Sequence, residues 1–519
     1  MKRNLITFIA VVIVALLITS VAIADLPGTG WWSAVFVQNI DDAQGALSVI
    51  AYDSASAEEF TIDPVAFDPG TALVYDPGKA AGGIYLGFEP SLPVGFQGSV
   101  VLSSNVEAAA VSEIANYRNF TVGGSGTASA RYTGMSQDDV AHTLFVPSIK
   151  HNYVGHTTTL YVQAAGESAN VTVTYNMNDG SSHDQTQSIA ANNMFIFDPA
   201  NAGVPSTGCG FDANVSPCVG SAVVHSTTGR IAGTVVEHQH VGSPASYAMS
   251  TRMQTSNDMD TILYHPTIKN NYMGIMTAGA QIMNLGSEPA LVQITLTVTV
   301  SSTNQASPGD EFVDTAVIQP NQGLLFSRWL DNIGGMPNGT FAAAVIESLD
   351  TAEYNPQPLV GSTNDSKVMS RIPAGRGITL YSGFADGNAS NAIAAPIIRE
   401  NIDGISGGLT VQNVGSAADV IDFYYFEYGT LNVYHFWSTN PIDVGQAINT
   451  NRVALNIGGR FTNDGTWAFS ALDNKEFSVI AVSRSDQPII GLASEYAIAD
   501  DMDMRNFEAI NFVFDSTPE

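Results

Sequence analysis

Acidic residues recur in short clusters that could bind a metal ion. The clusters are Asp138 with Asp139, Asp258 with Asp260, and Asp500 with Asp501 and Asp503. Calcium takes six to eight oxygen ligands from carboxylates and backbone carbonyls, so a cluster between two structural units could hold one ion. We therefore expect no bound cofactor, with calcium at these positions as the one candidate. Two alternatives stay open: each cluster is a solvated turn, or its carboxylates pair with Lys150 or Lys269.

The two cysteines, Cys209 and Cys218, lie close together in the sequence. In an exported protein such a pair forms a disulfide that closes one loop. A metal site would need more ligands nearby, so we predict the disulfide.

Catalytic motifs are missing from the sequence. It contains no His-Glu-x-x-His and no P-loop. We therefore expect no enzyme activity and no catalytic residue. Because carboxylates are plentiful and tryptophans such as Trp31 and Trp32 could meet a sugar, a glycosidase or carbohydrate-binding protein is the main alternative.

The first 24 residues have the features of a signal peptide. Lys2 and Arg3 precede an apolar run, and Val21-Ala-Ile-Ala24 supplies a cleavage site of small residues. We predict cleavage after Ala24 and a protein that is secreted or lies at the cell surface, with no membrane contact after cleavage. The run is long enough that an uncleaved anchor is the alternative.

Charge excludes some partners. Among 519 residues, 49 are acidic and 19 are Lys or Arg, which gives a formal net charge of −30. Nucleic acids and anionic lipids attract basic surfaces, so neither is an expected partner. We expect protein or cell-envelope contacts, including self-association, and glycans as a further option.

The clearest signal is an internal repeat. A pattern of Pro, Ile, a basic residue, Asn and Gly recurs at fixed offsets, at intervals of about 120 to 130 residues. It occurs as Pro147-Ser-Ile-Lys150-His-Asn152-Tyr-Val-Gly155, Pro266-Thr-Ile-Lys269-Asn-Asn271-Tyr-Met-Gly274 and Pro396-Ile-Ile-Arg399-Glu-Asn401-Ile-Asp-Gly404. A further copy fits at Gly30-Trp31-Trp32, which leads to Val37-Gln-Asn-Ile-Asp41. After the signal peptide (1–24), this predicts four copies, called segments 1 to 4: 25–140, 141–260, 261–390, and 391–519 with an acidic C-terminal tail.

Each segment has the pattern of an antiparallel β-sandwich. Val171-Thr-Val-Thr-Tyr175 and Ile294-Thr-Leu-Thr-Val-Thr-Val300 alternate apolar and polar residues, which is typical of strands with one buried face. Short strands of this kind are separated by Gly, Pro, Asn and Asp turns, and no long helical period occurs. The chain is therefore predicted to be all-β, a tandem array of about four sandwich domains.

One motif carries a family resemblance. Val411-Gln-Asn-Val-Gly415 resembles the V-x-N-x-G opening of immunoglobulin-like repeats of the cell-adhesion-related type in exported bacterial proteins. The resemblance implies immunoglobulin-like domains and a structural or adhesive role, including a subunit of an extracellular filament or layer. A calcium-stiffened stalk is a further alternative. The sequence leaves open whether the segments form a string or close on one another.

Overall fold

The structure is a computed structural model whose regular structure is almost entirely β-strand, apart from six 3-10 helices (η1–η6) among the residues it describes. No helix in that part of the chain is long and apolar enough to cross a bilayer. The described residues are 16–22, 31–56, 58–116, 128–239, 247–368, 376–402, 405–451, 460–497 and 504–514.

Segment 1 forms two sheets, one of which also includes β1 from the predicted signal peptide (1–24). One has the strand order β1-β7-β3-β4 and the other β6-β5-β2-β8-β9; only the short β5–β6 pair is parallel. The strands are β1 (Leu16–Ala22), β2 (Trp32–Asn39), β3 (Gly45–Asp53), β4 (Glu59–Phe67), β5 (Ala72–Tyr75), β6 (Tyr85–Leu86), β7 (Gly98–Ser104), β8 (Ala108–Asn116) and β9 (Ala128–Thr133).

Segment 2 follows the order β13-β12-β15-β10-β11-β16-β17, with β14 paired to β11. Its first strand, β10, has an irregularity between Val146 and Ile149. It pairs with β15 on both sides of that point, and near its end His151 and Tyr153 pair with β11. Its elements are β10 (Thr143–Tyr153), β11 (His156–Ala164), β12 (Ala169–Met177), β13 (Ser182–Ile189), β14 (Met194–Phe197), η1 (Pro199–Ala202), η2 (Ala213–Val215), β15 (Val219–Ser226), β16 (Ile231–Gln239), β17 (Tyr247–Arg252) and η3 (Ser256–Asp258).

Segment 3 repeats this order as β21-β20-β23-β18-β19-β24-β25, with β22 beside β19 and β26 beside β18. Its elements are β18 (Ile262–Tyr272), β19 (Met276–Asn284), β20 (Ala290–Ser301), β21 (Glu311–Ile318), β22 (Gly323–Phe326), η4 (Arg328–Leu330), β23 (Thr340–Ser348), β24 (Leu359–Val368), β25 (Arg376–Ser382), β26 (Phe384–Ala385) and η5 (Asp386–Asn388).

Segment 4 has the orders β32-β30-β29-β33-β27-β36 and β31-β28-β34-β35. Its elements are β27 (Ala392–Glu400), β28 (Ile405–Asn413), β29 (Ile421–Glu427), β30 (Val433–Ser438), β31 (Ala447–Asn449), β32 (Phe461–Asn463), η6 (Phe469–Leu472), β33 (Lys475–Ser483), β34 (Ile489–Ala497), β35 (Arg505–Glu508) and β36 (Ile510–Phe512).

A buried asparagine has the same role in the V-x-N-x-G motif and in two related stretches, Ile282-Met-Asn-Leu-Gly286 and Val37-Gln-Asn-Ile-Asp41. Asn284 Nδ2 donates to the carbonyls of Glu288 and Ile318, at 2.8 and 3.0 Å, and its Oδ1 accepts from the Gly286 N–H at 2.8 Å. One side chain therefore ties the end of a strand to two loops, since buried backbone groups need partners. The same three kinds of bond are made by Asn39 and Asn413.

Alternating residues build a core in each segment. In β20, Ile294 and Leu296 are fully buried, and they share a core with Ile282 of β19. In the strand order of segment 3, β20 and β19 are separated by β23 and β18. The apolar residues of the alternating pattern thus supply the burial that stabilises the segment.

Apolar contacts also join the segments. Phe36 of segment 1 lies in the core of segment 4, and Ile378 of segment 3 lies in the core of segment 2. Tyr132 packs with Tyr161 of segment 2, and Tyr264 of segment 3 packs with Ile490 of segment 4. Each segment therefore contacts the next, and segment 4 contacts segment 1.

Candidate functional site

One strand from each segment, the last of a strand order given above, lies at the centre of these contacts. We call β9, β17, β25 and β35 the inner strands. β9 packs against β17, β17 against β25, β25 against β35, and β35 against β9. The four strands come from four segments, so their contacts form a closed circuit.

Glu508, at the end of β35, joins the other three inner strands. Its Oε1 accepts a hydrogen bond from the Thr251 hydroxyl at 2.7 Å and another from the Ser382 N–H, and its Oε2 accepts from the Thr133 hydroxyl at 3.1 Å. We call these four residues the central junction. Glu508 is 6% exposed. A buried carboxylate with three donors forms strong, charge-assisted bonds, so the junction can hold four segments together.

A buried ion network joins segments 1 and 4 beside the junction. Arg131 lies 2.7 Å from Glu113 and 2.9 Å from Glu495, measured from Nη2 to the nearest carboxylate oxygen. Arg399 Nη1 is 3.1 Å from Glu495 Oε2, and Arg505 Nη1 is 3.3 Å from Glu113 Oε1. Only Arg131 and Glu113 belong to segment 1, so each carboxylate binds arginines of both segments.

The carboxylates of this network are held ionised. Burial alone would raise the pKa of Glu113, but Arg505, Arg131 and Arg399 lower it well below its usual value. The same three arginines outweigh burial and lower the pKa of Glu495. Groups held in one protonation state by ion pairs serve structure, because a general acid or base must exchange its proton near working pH.

An acid–base pair recurs in segments 2, 3 and 4. Lys150 Nζ lies 2.8 Å from Glu237, and Lys269 pairs with Asp365, as Arg399 pairs with Glu495. The bases are those of the recurring Pro-x-Ile pattern. Each acid lies on the strand before the inner strand, and Glu113 has the corresponding place in segment 1.

Sequence reasoning missed these acids. The recurring basic residue was the available signal, because a buried cation requires a partner. The partner lies far downstream in the chain, for example 87 residues after Lys150. The sequence offered the aspartates of the acidic clusters as partners for Lys150 and Lys269, whereas the structure pairs these lysines with Glu237 and Asp365.

Four of the predicted metal-binding aspartates lie in the stretches that follow β9 and β17: Asp138, Asp139, Asp258 and Asp260. Asp258 is buried and binds Arg252 through both oxygens, and it also caps η3 by accepting from the Thr255 N–H at 2.8 Å. Burial lowers the pKa of Arg252, but Asp258 and then Asp139 raise it above its ordinary value. This carboxylate is therefore committed to an ion pair.

The other predicted ligands have separate partners. Asp139 Oδ2 accepts from the Ser136 hydroxyl at 2.8 Å, and Asp138 is exposed. Asp260 Oδ1 accepts from the Thr261 N–H at 2.7 Å. The remaining predicted ligands lie outside the described residues: Asp500, Asp501 and Asp503.

Within the described ranges, no group of three or more His, Cys, Asp or Glu side chains is arranged to hold a metal ion. The calcium site therefore remains a prediction from sequence. The two cysteines are joined: the Cα atoms of Cys209 and Cys218 lie 5.2 Å apart in a disulfide.

A half-exposed aromatic row lies on segment 4. The rings of Tyr424 and His435 stack with centroids 4.4 Å apart, and His435 lies 5.1 Å from Trp437. The Arg484 guanidinium covers Trp437 at 5.6 Å and pairs with Asp422. Stacked rings with charged neighbours can bind flat polar ligands, so this row is a candidate surface for a sugar.

Comparisons with known proteins show no family. No family model matches the chain, and no curated protein matches it. Among solved structures, Thermotoga maritima 1070 is 20% identical over 24% of this chain and 95% of its own, with a TM-score of 0.18. A tetra-tandem repeat from the extending region of a large adhesion protein is 10% identical over 96% of this chain and 99% of its own, with a TM-score of 0.09.

A red sea bream transglutaminase is 7% identical over 94% of this chain and 96% of its own, with a TM-score of 0.12. These TM-scores are too low for any of the three likenesses to carry an argument about fold or function.

Proposed function

We propose that this chain is an exported structural or adhesive protein of the cell surface, built from four immunoglobulin-like β-sandwich units. The units close on one another as one body instead of extending as a string. The observation that carries this proposal is Glu508, which bonds to Thr133, Thr251 and Ser382 in the other three segments. A flexible stalk would not need one buried side chain shared by all of its units.

The charged groups support a role without catalysis. The carboxylates Glu113, Glu237 and Glu495 are almost fully buried and ion-paired. Using one of them as an acid or base would break a pair that stabilises the fold. The outer surface of this acidic chain, whose full sequence has a net charge of −30, then remains for contact with other proteins or the cell envelope.

The outer strands suit a subunit that assembles through surfaces. β13 and β21 each lie at the end of a strand order. Both carry charged residues there, such as Asp184 and Asp314, and charges discourage accidental pairing of sheet edges. A rigid body with protected edges could form a filament or layer through specific contacts alone.

Small-angle scattering of the exported chain tests the closed body. A compact protein of this length has a radius of gyration of about 23 Å. We expect a value near that figure at low concentration, together with polymers or layers by electron microscopy when the protein is concentrated. A clearly larger radius for the monomer would indicate a string and contradict the closed arrangement. A protein that stays monomeric and binds no cell envelope would contradict the structural role.

A carbohydrate-binding role is the second candidate, favoured by the aromatic row of Tyr424, His435 and Trp437. Trp329 is a second exposed ring, 70% exposed and covered by Arg328 at 4.5 Å. A glycan array tests this candidate. Binding that Trp437→Ala abolishes and Trp329→Ala preserves would assign it to the row, and an array without binding would remove it.

Calcium binding is tested separately. An ion bound only by the native state must raise its stability. A melting temperature lowered by EDTA and restored by added calcium would support the calcium-stiffened form. Because Asp258 is already paired with Arg252, Asp258→Asn should lower the melting temperature equally with and without EDTA.

A further inference from the structure

β1, which precedes segment 1 in the chain, pairs with β7. Leu16–Ala22 runs antiparallel to Gly98–Ser104, from Leu16 opposite Ser104 to Ala22 opposite Gly98. The next strand on the other side of β7 is β3. β7 therefore lies between two strands, and β1 forms the edge of the sheet.

The same place is filled in every other segment. β10 pairs with β15, β18 with β23, and β27 with β33, each in antiparallel register. In each case the second strand also pairs with the strand that corresponds to β3, namely β12, β20 or β29. A strand in the place of β1 is thus a regular part of the repeated fold, and segment 1 requires one as the others do.

In segment 1 this strand lies entirely within the predicted signal peptide. Cleavage after Ala24 would remove Leu16–Ala22, whereas segments 2, 3 and 4 keep their first strands. The N–H and C=O groups of β7 that face β1 would then lack their partners, and an open row of such groups accepts another strand.

The β7 edge has none of the protection found on other edges. Its sequence, Gly-Ser-Val-Val-Leu-Ser-Ser, contains no charged residue and no proline. By contrast β4 carries Asp63 and Pro64, and β21 carries Glu311 and Asp314. An uncharged edge with Val and Leu favours an uncharged, β-branched strand, and Leu-Leu-Ile-Thr-Ser-Val-Ala is such a strand.

We propose that the exported protein accepts at β7 an extended, uncharged strand of about seven residues from another protein chain, antiparallel and in the register of β1. This inference rests on the proposed export, because only removal of the leader opens the edge. Backbone hydrogen bonds supply the affinity, and the absence of charge on both strands supplies the selectivity. Strand addition would then link one molecule to its partner.

The experiment compares two forms of the chain, one beginning at Asp25 and one beginning at Leu16. A fluorescent peptide of the sequence Leu16–Ala22, flanked by lysines for solubility, is added to each. The chain that begins at Leu16 covers its own edge and is the matched control. We expect saturable binding to the Asp25 form and at least about tenfold weaker binding to the Leu16 form.

A peptide with Thr19→Pro tests whether backbone pairing is responsible. Proline removes one N–H and distorts the strand, so binding should fall at least about tenfold. Polymers of the Asp25 form that the unmodified peptide dissolves would support the proposal and identify a second copy as the donor. Equal binding to both forms, or no binding to the Asp25 form, would overturn it.

The mass of the natural exported protein separates this inference from the proposed function. A mass showing that residues 16–22 remain attached would overturn the inference, since β1 then covers the edge. A cleaved protein that forms layers but does not bind the peptide would overturn the inference and leave the structural role intact.

Discussion

The Thr251 hydroxyl donates a hydrogen bond to the Glu508 carboxylate across 2.7 Å, although the two residues are 257 positions apart in the chain. The other oxygen of the same carboxylate accepts from Thr133 at 3.1 Å, 375 positions away. A side chain near the C-terminus therefore bonds to the inner strands of earlier segments. The mutual arrangement of the four segments depends on contacts of this kind.

Replacing Glu508 by alanine should loosen the central junction. The Ser382 N–H and the Thr133 and Thr251 hydroxyls would lose a buried acceptor, which should lower the free energy of unfolding by about 2–4 kcal/mol. The midpoint of urea unfolding measures this loss. Scattering of the folded variant should also show a larger radius of gyration.

Two variants serve as controls for Glu508. Glu508→Gln keeps the shape and two of the accepting interactions, so we expect a loss of about 1 kcal/mol. Glu311→Ala removes an exposed carboxylate on β21 and should change stability by no more than about 0.5 kcal/mol. Equal unfolding midpoints for Glu508→Ala and Glu311→Ala would show that the junction does not hold the segments.

Replacing Asn284 by alanine should destabilise segment 3. The substitution leaves the carbonyls of Glu288 and Ile318 and the Gly286 N–H without their buried partner, at a cost of about 2–4 kcal/mol. Thermal unfolding followed by circular dichroism gives the shift. The exposed Gln305 provides a control, since Gln305→Ala removes no buried bond. A midpoint equal to that of Gln305→Ala would contradict the role assigned to this motif.

The all-β character could be predicted because alternating residues and turn residues act locally. The recurring Asn and Gly of the repeat also have a local reason: Asn152 and Asn271 have φ values of 55° and 50°, and Gly155 and Gly274 have 84° and 77°. Left-handed backbone favours these residue types. Local backbone conformation can therefore be predicted from the residue types at these positions.

The closed arrangement of the four segments could not be predicted from a comparable sequence pattern. The residues that meet at the junction differ in type between segments, as Thr133, Ser382 and Glu508 show, so no repeat pattern indicates them. Of each acid–base pair, the sequence pattern indicated only the basic residue. Lys150 belongs to the recurring pattern, but its partner Glu237 can be recognised only when the fold brings the two together.

Glu237 should make stability depend on acid pH. Burial raises its pKa, but Lys150 and His156 outweigh burial and lower it from 4.5 to about 2. A lowered pKa means that the ionised form stabilises the fold above pH 4.5, and this contribution is lost as the pH falls through 2. The loss should amount to about 3 kcal/mol in total.

Melting temperatures between pH 7 and pH 2 test the role of Glu237. The variant Glu237→Gln should be less stable than the natural chain at pH 7 and should approach it as the pH falls. The exposed Asp138→Asn is the control and should follow the natural chain throughout. Curves for Glu237→Gln and the natural chain that stay parallel down to pH 2 would refute this prediction.

His265 should add a second pH dependence. It is fully buried, its Nδ1 lies 2.7 Å from the Thr363 hydroxyl, and burial lowers its pKa to about 3. A Cβ on Gly383 would lie 2.5 Å from its Nε2, so the ring fills a close-fitting space. The fold requires the neutral ring, whereas the unfolded chain binds a proton below about pH 6.5.

Stability should therefore fall as the pH decreases from 6.5 to 3, by about 1.4 kcal/mol per pH unit from this residue. Urea midpoints at several pH values measure the slope. His265→Gln should remove this slope, and His142→Gln, at an exposed position, should retain it. An unchanged slope in His265→Gln would show that the ring is not the titrating group.

Arg131 offers the sharpest test of the contact between segments 1 and 4. Replacing it with methionine removes the cation closest to Glu113. Glu113 and Glu495 then share only Arg505 and Arg399, and Arg399 also pairs with Glu476. Breaking a buried pair from one side costs about 3–5 kcal/mol, because an uncompensated charge stays buried. The double variant Arg131→Met/Glu113→Gln removes that charge as well, so it should be more stable than Arg131→Met alone.

A double-mutant cycle on urea midpoints decides whether these two residues act as a pair. Lys475→Met, which breaks a pair whose lysine is 28% exposed, is the control and should cost at most about 1 kcal/mol. If the effects of Arg131→Met and Glu113→Gln on the free energy of unfolding simply add, the two residues contribute independently. The network would then not hold segments 1 and 4 together. A positive coupling energy, together with a larger radius of gyration for Arg131→Met than for Lys475→Met, would show that this network holds segments 1 and 4 together.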